Sequence, residues 1–301
     1  MPEAAVKGTP ESGSVTVSQR EGGGVPERQS VAAWETGSAA AAPQNACKSE
    51  GAVELLWAAA PEELVLHEAE VHIFAARLDI PPAGDSGRSI LSRDEKARAG
   101  RFHFEMDRSR YVVARTLLRT ILGRYLNVLP QKLVFSYRAA GKPVLGPPFT
   151  RTDLKFNLAH SEDLGLLAVT TATDVGVDVE RVRPVPDAAE LVLRFFSARE
   201  AELFAEVPPE LQPPAFFNLW TRKEAWLKAT GEGIAHSLKR VEVSFLSHEP
   251  TRLLAVPPDA LPAARWTLRE LHPAPGFAAA VAVASFPIQL RCFSWPTLDE
   301  V

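Results

Sequence analysis

Residues 220–233 read WTRKEAWLKATGEG. The spacing predicts a helix closed by the glycines at 231 and 233, with Trp220, Glu224, Leu227 and Lys228 on one face, because residues three and four apart are helical neighbours. A carboxylate and an ammonium one turn apart can divide the work on a phosphate. Glu224 can ligand a divalent cation or take a proton, and Lys228 can neutralise phosphate oxygens. The same pair is also an ordinary i, i+4 surface ion pair, a contact of about 0.2–0.5 kcal/mol.

A second acidic stretch, residues 174–183 (DVGVDVERVR), reads as a strand. Period-two geometry sends Asp178 and Glu180 to one side and Val177 and Val179 to the other, with the two carboxylates about 7 Å apart. Like charges on one strand face need a counter-charge. A divalent cation is the compact solution, and Arg181 or Arg183 is the alternative. Upstream, FNLAHS at 156–161 places His160 and Ser161 in a polar loop between strands at 155–159 and 164–170. RAAGKPVL at 138–145 presents Lys142 on a rigid tip, since Gly141 can turn left-handed and Pro143 keeps its predecessor extended.

The elements that must position these groups follow the same logic. A strand at 71–75 precedes LSRDEKARAGRFHF at 91–104, where Ser92 and Glu95 form a capping box opening a short basic helix with Lys96, Arg98 and Arg101. The helix 110–126 carries Tyr111, Ala114, Leu118, Ile121, Leu122 and Tyr125 as an apolar stripe, leaving Arg115, Arg119 and Arg124 on solvated faces. Ser197 and Glu200 repeat the capping box inside the helical region 187–207, a proline-rich loop covers 208–214, and strands are expected at 133–137, 241–245, 266–270 and 277–285. Proline and charge dominate the close of the chain. Element order and capping positions in the two halves echo each other, which predicts two similar α/β halves joined near 171–176 with a site at their interface.

Composition narrows the function classes. The 301 residues are 46% hydrophobic and 23% charged with a formal charge of −4, so the chain is globular and has no global basic field for nucleic acid or anionic lipid. Cys47 and Cys292 are far apart and outside any zinc spacing. No secretory start and no run of about 18 apolar residues is present, so a cytoplasmic protein without a membrane partner is expected. Residues 1–50, rich in Gly, Ala, Ser, Pro, Glu and Gln, read as a disordered tail in which Trp34 is solvated.

GVDVE at 176–180, followed about 40 residues later by WTRKEAWLK at 220–228, resembles the signature pair of the 4′-phosphopantetheinyl transferases of the Sfp type. The resemblance extends to AGKPVL at 140–145 and FNLAHS at 156–161, more loosely to 91–115, and covers roughly residues 70–285. It implies an α+β pseudo-dimer of two similar α/β halves, residues 51–172 and 173–301, each a small mainly antiparallel sheet with a long helix packed on it. Coenzyme A and Mg²⁺ would lie between them. Residue by residue, it implies Asp178, Glu180 and Glu224 as Mg²⁺ ligands, with Glu224 also the candidate base. Lys228 and His160 would meet the phosphates, and Arg138 and Lys142, with Lys96 and Arg101, the adenine and 3′-phosphate end. Ala159 departs from the family, whose members often carry Ser or Thr before the histidine; Ser161 or a backbone N–H is then the replacement contact. The implied reaction moves the phosphopantetheine arm to a serine of an apo acyl or peptidyl carrier protein, such as those of polyketide, nonribosomal peptide or fatty acid synthases, and releases adenosine 3′,5′-bisphosphate. The chain would act as a monomer. A non-catalytic coenzyme A or carrier-binding protein, and a metal-dependent phosphoanhydride hydrolase, are the competing readings of the same residues.

Overall fold

The structure is a computed structural model that describes residues 56–80, 86–138, 141–171, 173–232, 238–285 and 287–295. The tail expected at 1–50, with Trp34, lies outside the described residues. The first half runs β1 (Trp57–Ala59), β2 (Glu70–Arg77), α1 (Ser86–Ile90), α2 (Arg93–Ala99), α3 (Glu105–Leu126), the hairpin β3 (Phe135–Tyr137) and β4 (Pro143–Leu145), then β5 (Leu154–Ser161) and β6 (Leu164–Thr171). The order then recurs: β7 (Val175–Arg181), α4 (Ala188–Phe195), α5 (Ala198–Ala205), α6 (Gln212–Thr230), the short pair β8 (Glu242–Val243) and β9 (Leu253–Ala255), β10 (Thr267–Leu271) and β11 (Phe277–Val283). A final strand, β12 (Gln289–Trp295), closes the described chain.

Pairing repeats as well. In the first half β6 lies between β2 and β5, and in the second β11 lies between β7 and β10, all antiparallel. The strand β12 crosses back to pair in parallel with β2, and β1 adds in parallel beyond it, so one sheet has five strands and the other three. The close of the chain was read only as dominated by proline and charge, with no strand assigned. Its strand hides from a period-two reading because only its middle is buried, one residue on each face: Cys292 joins the core between the sheets and Phe293 the core under α3. Among the described residues no helix is long and apolar enough to cross a membrane.

Each long helix covers the outer face of its sheet. Leu117, Leu118, Ile121 and Leu122 of α3 pack on Phe74, Leu167 and Val169, while Ala225, Trp226 and Ala229 of α6 pack on Ala278, Ala280 and Ala282. The inner faces meet each other through Ile73, Ala75, Leu166 and Ala168 on one side and Val177, Val179, Ala279 and Val281 on the other. The alanine row under α6 lets helix and sheet approach closely, and at Gly176 they touch backbone to backbone. A Cβ there would sit 2.0 Å from the Ala225 carbonyl oxygen and 2.4 Å from the Ala229 nitrogen. That contact explains the glycine of GVDVE. Both Pro213 and Pro214 fall in the first turn of α6, where no intrahelical N–H is needed, so the helix starts inside the stretch read as loop.

Both capping boxes form, and their glutamates do more than cap. The Glu95 carboxylate, 1% exposed, accepts from Arg115 Nε and Arg119 Nε, each at 2.6 Å. Its counterpart Glu200, 2% exposed, accepts from Lys223 Nζ and, at 3.1 Å, from the Val243 N–H. Each helix cation then donates onward to the segment after its helix: Arg119 to the Pro130 and Leu133 carbonyls at 3.0 and 2.9 Å, Lys223 to the Leu238 carbonyl at 2.7 Å. The arginines at 115 and 119, expected on solvated faces, are therefore buried, and their burial is tolerable because the charges are paired and hydrogen-bonded. Arg124 also bonds, to the Pro61 and Glu62 carbonyls. Smaller differences are local: α3 starts at Glu105, earlier than position 110, and Arg101 falls just past the end of α2.

Two stability outcomes follow from these contacts. Gly176→Ala is expected to lose at least about 3 kcal/mol in chemical denaturation, because backbone on both sides leaves the added methyl no room. Lys223→Met is expected to lose about 3–5 kcal/mol, since it strands the buried Glu200 carboxylate, and Arg119→Met about 1–3 kcal/mol, since Arg115 stays on Glu95 while the Pro130 and Leu133 carbonyls lose their donor; wild-type midpoints would refute the twin-anchor reading.

Candidate active site

The site lies where two edge strands meet. β5 ends one sheet and β7 ends the other, and no backbone ladder joins them. Side chains of β5 close the gap instead. Asn157 Oδ1 accepts the Val177 N–H at 2.8 Å, and Ser161 Oγ accepts the Arg181 N–H at 3.1 Å while donating to Glu180 Oε2 at 2.7 Å. Asn157, Ala159 and Ser161 share one face of β5 by the strand period, and Ala159 is buried in the core between the sheets. The methyl of Ala159 thus packs against β7, and His160 points to the opposite face. His160 and Ser161, expected in a loop, are the last two residues of β5 itself.

Close contact at Gly176 brings α6 over β7 and its carboxylates. Lys228 Nζ donates to Asp178 Oδ1 at 2.6 Å. Asp178 Oδ2 and Glu224 Oε1 are buried with no hydrogen-bond partner. Burial, then the charge of Asp178, pushes the Glu224 carboxyl up to about 7, with Lys228 opposing. Asp178 and Glu180 are also raised by burial first, Glu180 further by Asp178, while Lys228 pulls both back. Such mutual repulsion is the signature of carboxylates sharing one region of low dielectric. The predicted trio is thus brought together electrostatically, although among the described residues no three acidic, His or Cys side chains close around a single point. The donors suit a hard divalent cation: oxygen-only, with two buried oxygens unpartnered, and Lys228 supplying the positive charge in their midst.

His160 keeps exposed surface, yet its imidazole is held below its usual pKa, first by lost hydration and then by Lys228, Arg110 and Arg98. Arg98 was read only as part of a short basic helix, and position 110 only as the start of the next. Their approach to His160 depends on how α2 and α3 pack, which residue spacing does not report. Arg110 Nε is buried without a hydrogen-bond partner, and the Arg98 guanidinium lies over the Tyr111 ring at 5.8 Å. Lys96 and Arg101 remain exposed, and no hydrogen bond or ion pair joins them to His160 or the carboxylates among the described residues.

Lys142 follows Gly141, which takes φ +80° as its turn requires. Its ammonium donates to the Val175 carbonyl at 3.0 Å and the Lys228 carbonyl at 2.6 Å, tying the start of β7 to the last turn of α6. A cation there also complements the helix dipole. Burial lowers its pKa to about 8; Asp174 opposes, and Arg138, Lys155 and Lys228 add to the lowering. Beside it opens a cleft of about 210 Å³ lined by Arg138, Lys142, Lys155, Asp174, Phe149 and Phe156. Arg138 also approaches the left-handed Gly231 that ends α6, where an added Cβ would stand 3.6 Å from its Nη1.

Sequence comparison places this constellation. Residues 86–172 match the family described as 4′-phosphopantetheinyl transferase, N-terminal, and residues 174–282 the 4′-phosphopantetheinyl transferase superfamily. The chain is 43% identical over 231 residues to the 4′-phosphopantetheinyl transferase HetI of a Nostoc species, an alignment spanning 76% of this chain and 94% of HetI. It is 26% identical over 211 residues to the 4′-phosphopantetheinyl transferase Sfp of Bacillus subtilis, spanning 70% of this chain and 90% of Sfp. Among solved structures, a holo-(acyl-carrier-protein) synthase from Bacillus anthracis in complex with CoA aligns with 36% of this chain and 93% of its own, at 18% identity and a TM-score of 0.30. With nearly the whole of HetI covered at that identity, this chain belongs to the 4′-phosphopantetheinyl transferase superfamily.

Proposed function

We propose that the chain transfers the 4′-phosphopantetheine arm of coenzyme A to a serine of an apo acyl or peptidyl carrier protein, releasing adenosine 3′,5′-bisphosphate, and that Asp178, Glu180 and Glu224 hold the Mg²⁺ this requires. The observation that carries the reading is the meeting of those carboxylates with Lys228 where α6 crosses β7. In the reaction the serine Oγ bonds to the β-phosphorus as the bond from that phosphorus to the bridging oxygen breaks, and the electron pair leaves on the adenosine bisphosphate. Bound at the carboxylates, a divalent cation supplies charge against the pyrophosphate oxygens.

The chain's own groups do the rest. Glu224, pushed up to about 7 by burial while no cation is bound, would face the serine as a carboxylate once the cation has displaced its proton, and is the candidate acceptor of the serine proton. Lys228 is partly exposed, so its ammonium can serve a phosphate oxygen as well as Asp178. His160, held neutral by its surroundings, offers a ring N–H to a phosphate oxygen as a hydrogen-bond donor. Arg98 and Arg110 add charge on the same side, and we assign the adenosine end to the cleft beside Arg138. There Lys142 acts chiefly through the backbone groups it ties, while Lys96 and Arg101 serve as outer cations that meet the 3′-phosphate on approach.

The deciding experiment incubates the protein with coenzyme A, Mg²⁺ and an apo carrier and weighs the carrier. Gain of one phosphopantetheine arm supports transfer, free phosphopantetheine with an unmodified carrier supports hydrolysis, and no reaction supports a binding protein. Asp178→Ala and Glu224→Ala are each expected to slow loading by at least about 100-fold while the far-UV spectrum is kept; a variant loading at the wild-type rate would remove that residue from the site. The pH dependence has a definite sign. Below about 7 Glu224 carries a proton that cation binding must displace, so apparent Mg²⁺ affinity should fall by up to about tenfold per unit as pH drops through that value. Calorimetry in buffers of different ionisation enthalpy should detect the released proton, and Glu224→Gln should abolish both effects.

A further inference from the structure

Ser161 ends β5 beside His160 and is half-buried at the seam between the sheets. Its hydroxyl has one proton and two lone pairs. The proton goes to Glu180 Oε2 at 2.7 Å, and a lone pair receives the Arg181 N–H at 3.1 Å. Both bonds cross from one sheet to the other, and together they fix the rotor. Among the described residues no other side chain hydrogen-bonds the Glu180 carboxylate. At the half-exposed end of a strand, a glutamate without that bond would sample several rotamers.

Two carboxylates of the site are therefore each held by one oxygen and open at the other. Asp178 is gripped at Oδ1 by Lys228 and leaves Oδ2 unpartnered; Glu180 is gripped at Oε2 by Ser161 and leaves Oε1 for a cation. A phosphate at Ser161 would need the proton already given to Glu180 and would otherwise face a lone pair. The geometry points to Ser161 as a positioning residue: from outside the ligand set it holds the Glu180 carboxylate and so sets the affinity for a divalent cation, with no phosphate contact of its own. This rests on the metal reading proposed above. It also accounts for the lone hydroxyl of FNLAHS standing after the histidine, since only the Asn157, Ala159, Ser161 face meets β7.

The test measures Mn²⁺ binding, the metal alone, to the full chain by calorimetry and by the electron paramagnetic resonance of free Mn²⁺. Wild type, Ser161→Ala, Ser161→Thr and Asp178→Ala are compared, with adenosine 3′,5′-bisphosphate binding measured separately without metal. Ser161→Ala should bind Mn²⁺ about 10- to 100-fold more weakly, Ser161→Thr should restore most of that loss, nucleotide affinity should stay at the wild-type value, and the melting temperature should fall by no more than a few degrees for the two lost inter-sheet bonds. In turnover the Ser161→Ala defect should lie in the Mg²⁺ requirement, with kcat recovered at saturating Mg²⁺. Unchanged Mn²⁺ affinity in Ser161→Ala, or lost nucleotide affinity with Mn²⁺ binding intact, would overturn the proposal and leave the metal site standing. If wild type binds no Mn²⁺, or Asp178→Ala binds it as tightly as wild type, the metal site itself falls and the proposal with it.

Discussion

The backbone contact between α6 and β7 at Gly176 is the constraint on which the rest of the site depends. No side chain fits between the two elements there, and the alanines of α6 and β11 keep the approach close along the crossing. Because the distance is set by backbone, side chains at the contact on α6 and two and four residues along β7 must share a small volume. Those side chains are Glu224, Lys228, Asp178 and Glu180. Lys142 reinforces the crossing from the other half by binding a carbonyl of each element. Rigid elements, with no loop among them, thus place every member of the acidic cluster.

The two halves share a scaffold and divide the chemistry. In each, a capping-box glutamate is buried against a cation from the following long helix, and that cation braces the segment beyond the helix. Losing Lys223 would strand the Glu200 carboxylate, whereas Glu95 is held by two arginines and keeps Arg115 if Arg119 is lost. What differs is the neighbouring residue. Next to Lys223 stands Glu224, directed at β7; next to Arg119 stands Thr120, and the first half contributes Arg98, Arg110 and His160 to the shared region. One half supplies the anionic groups and the other most of the cationic ones, so the seam carries a gradient of charge suited to a cation beside a phosphate.

Much of this was legible in the sequence, and the failures have physical causes. Capping boxes, the left-handed glycines and the carboxylate face of β7 are local, set by neighbours within four residues. The carboxylates, Lys228 and His160 could be singled out on those grounds together with a family resemblance. Arg115 and Arg119 were read as solvated because an arginine's burial depends on a partner, and Glu95 lies 20 and 24 residues away from them. Lys142 looked like an exposed tip for the same reason: its acceptors, Val175 and Lys228, belong to the other half. β12 was missed because only its middle, Cys292 and Phe293, is buried, one residue on each face, while Gln289 and Arg291 are exposed, and His160 and Ser161 looked like loop residues because polar side chains at a strand end imitate a turn.

Charge balance within the cluster would link the cation and the phosphate proposed for it. Asp178 is buried and among the described residues its one ionic partner is Lys228, so an ammonium drawn wholly to a phosphate would leave a carboxylate uncompensated in low dielectric. A cation at Asp178 would remove that penalty and free Lys228 to turn outward; a phosphate, in turn, would make the same region more favourable for the cation. Each ligand therefore lowers the electrostatic cost of the other, and by linkage the effect is mutual and equal in free energy. Glu224 strengthens the coupling, because its carboxyl near 7 leaves it partly protonated until positive charge arrives. On the proposed reading, the ion pair between Lys228 and Asp178 would be the resting form of the site, its full charge separation developing only with cation and phosphate present together.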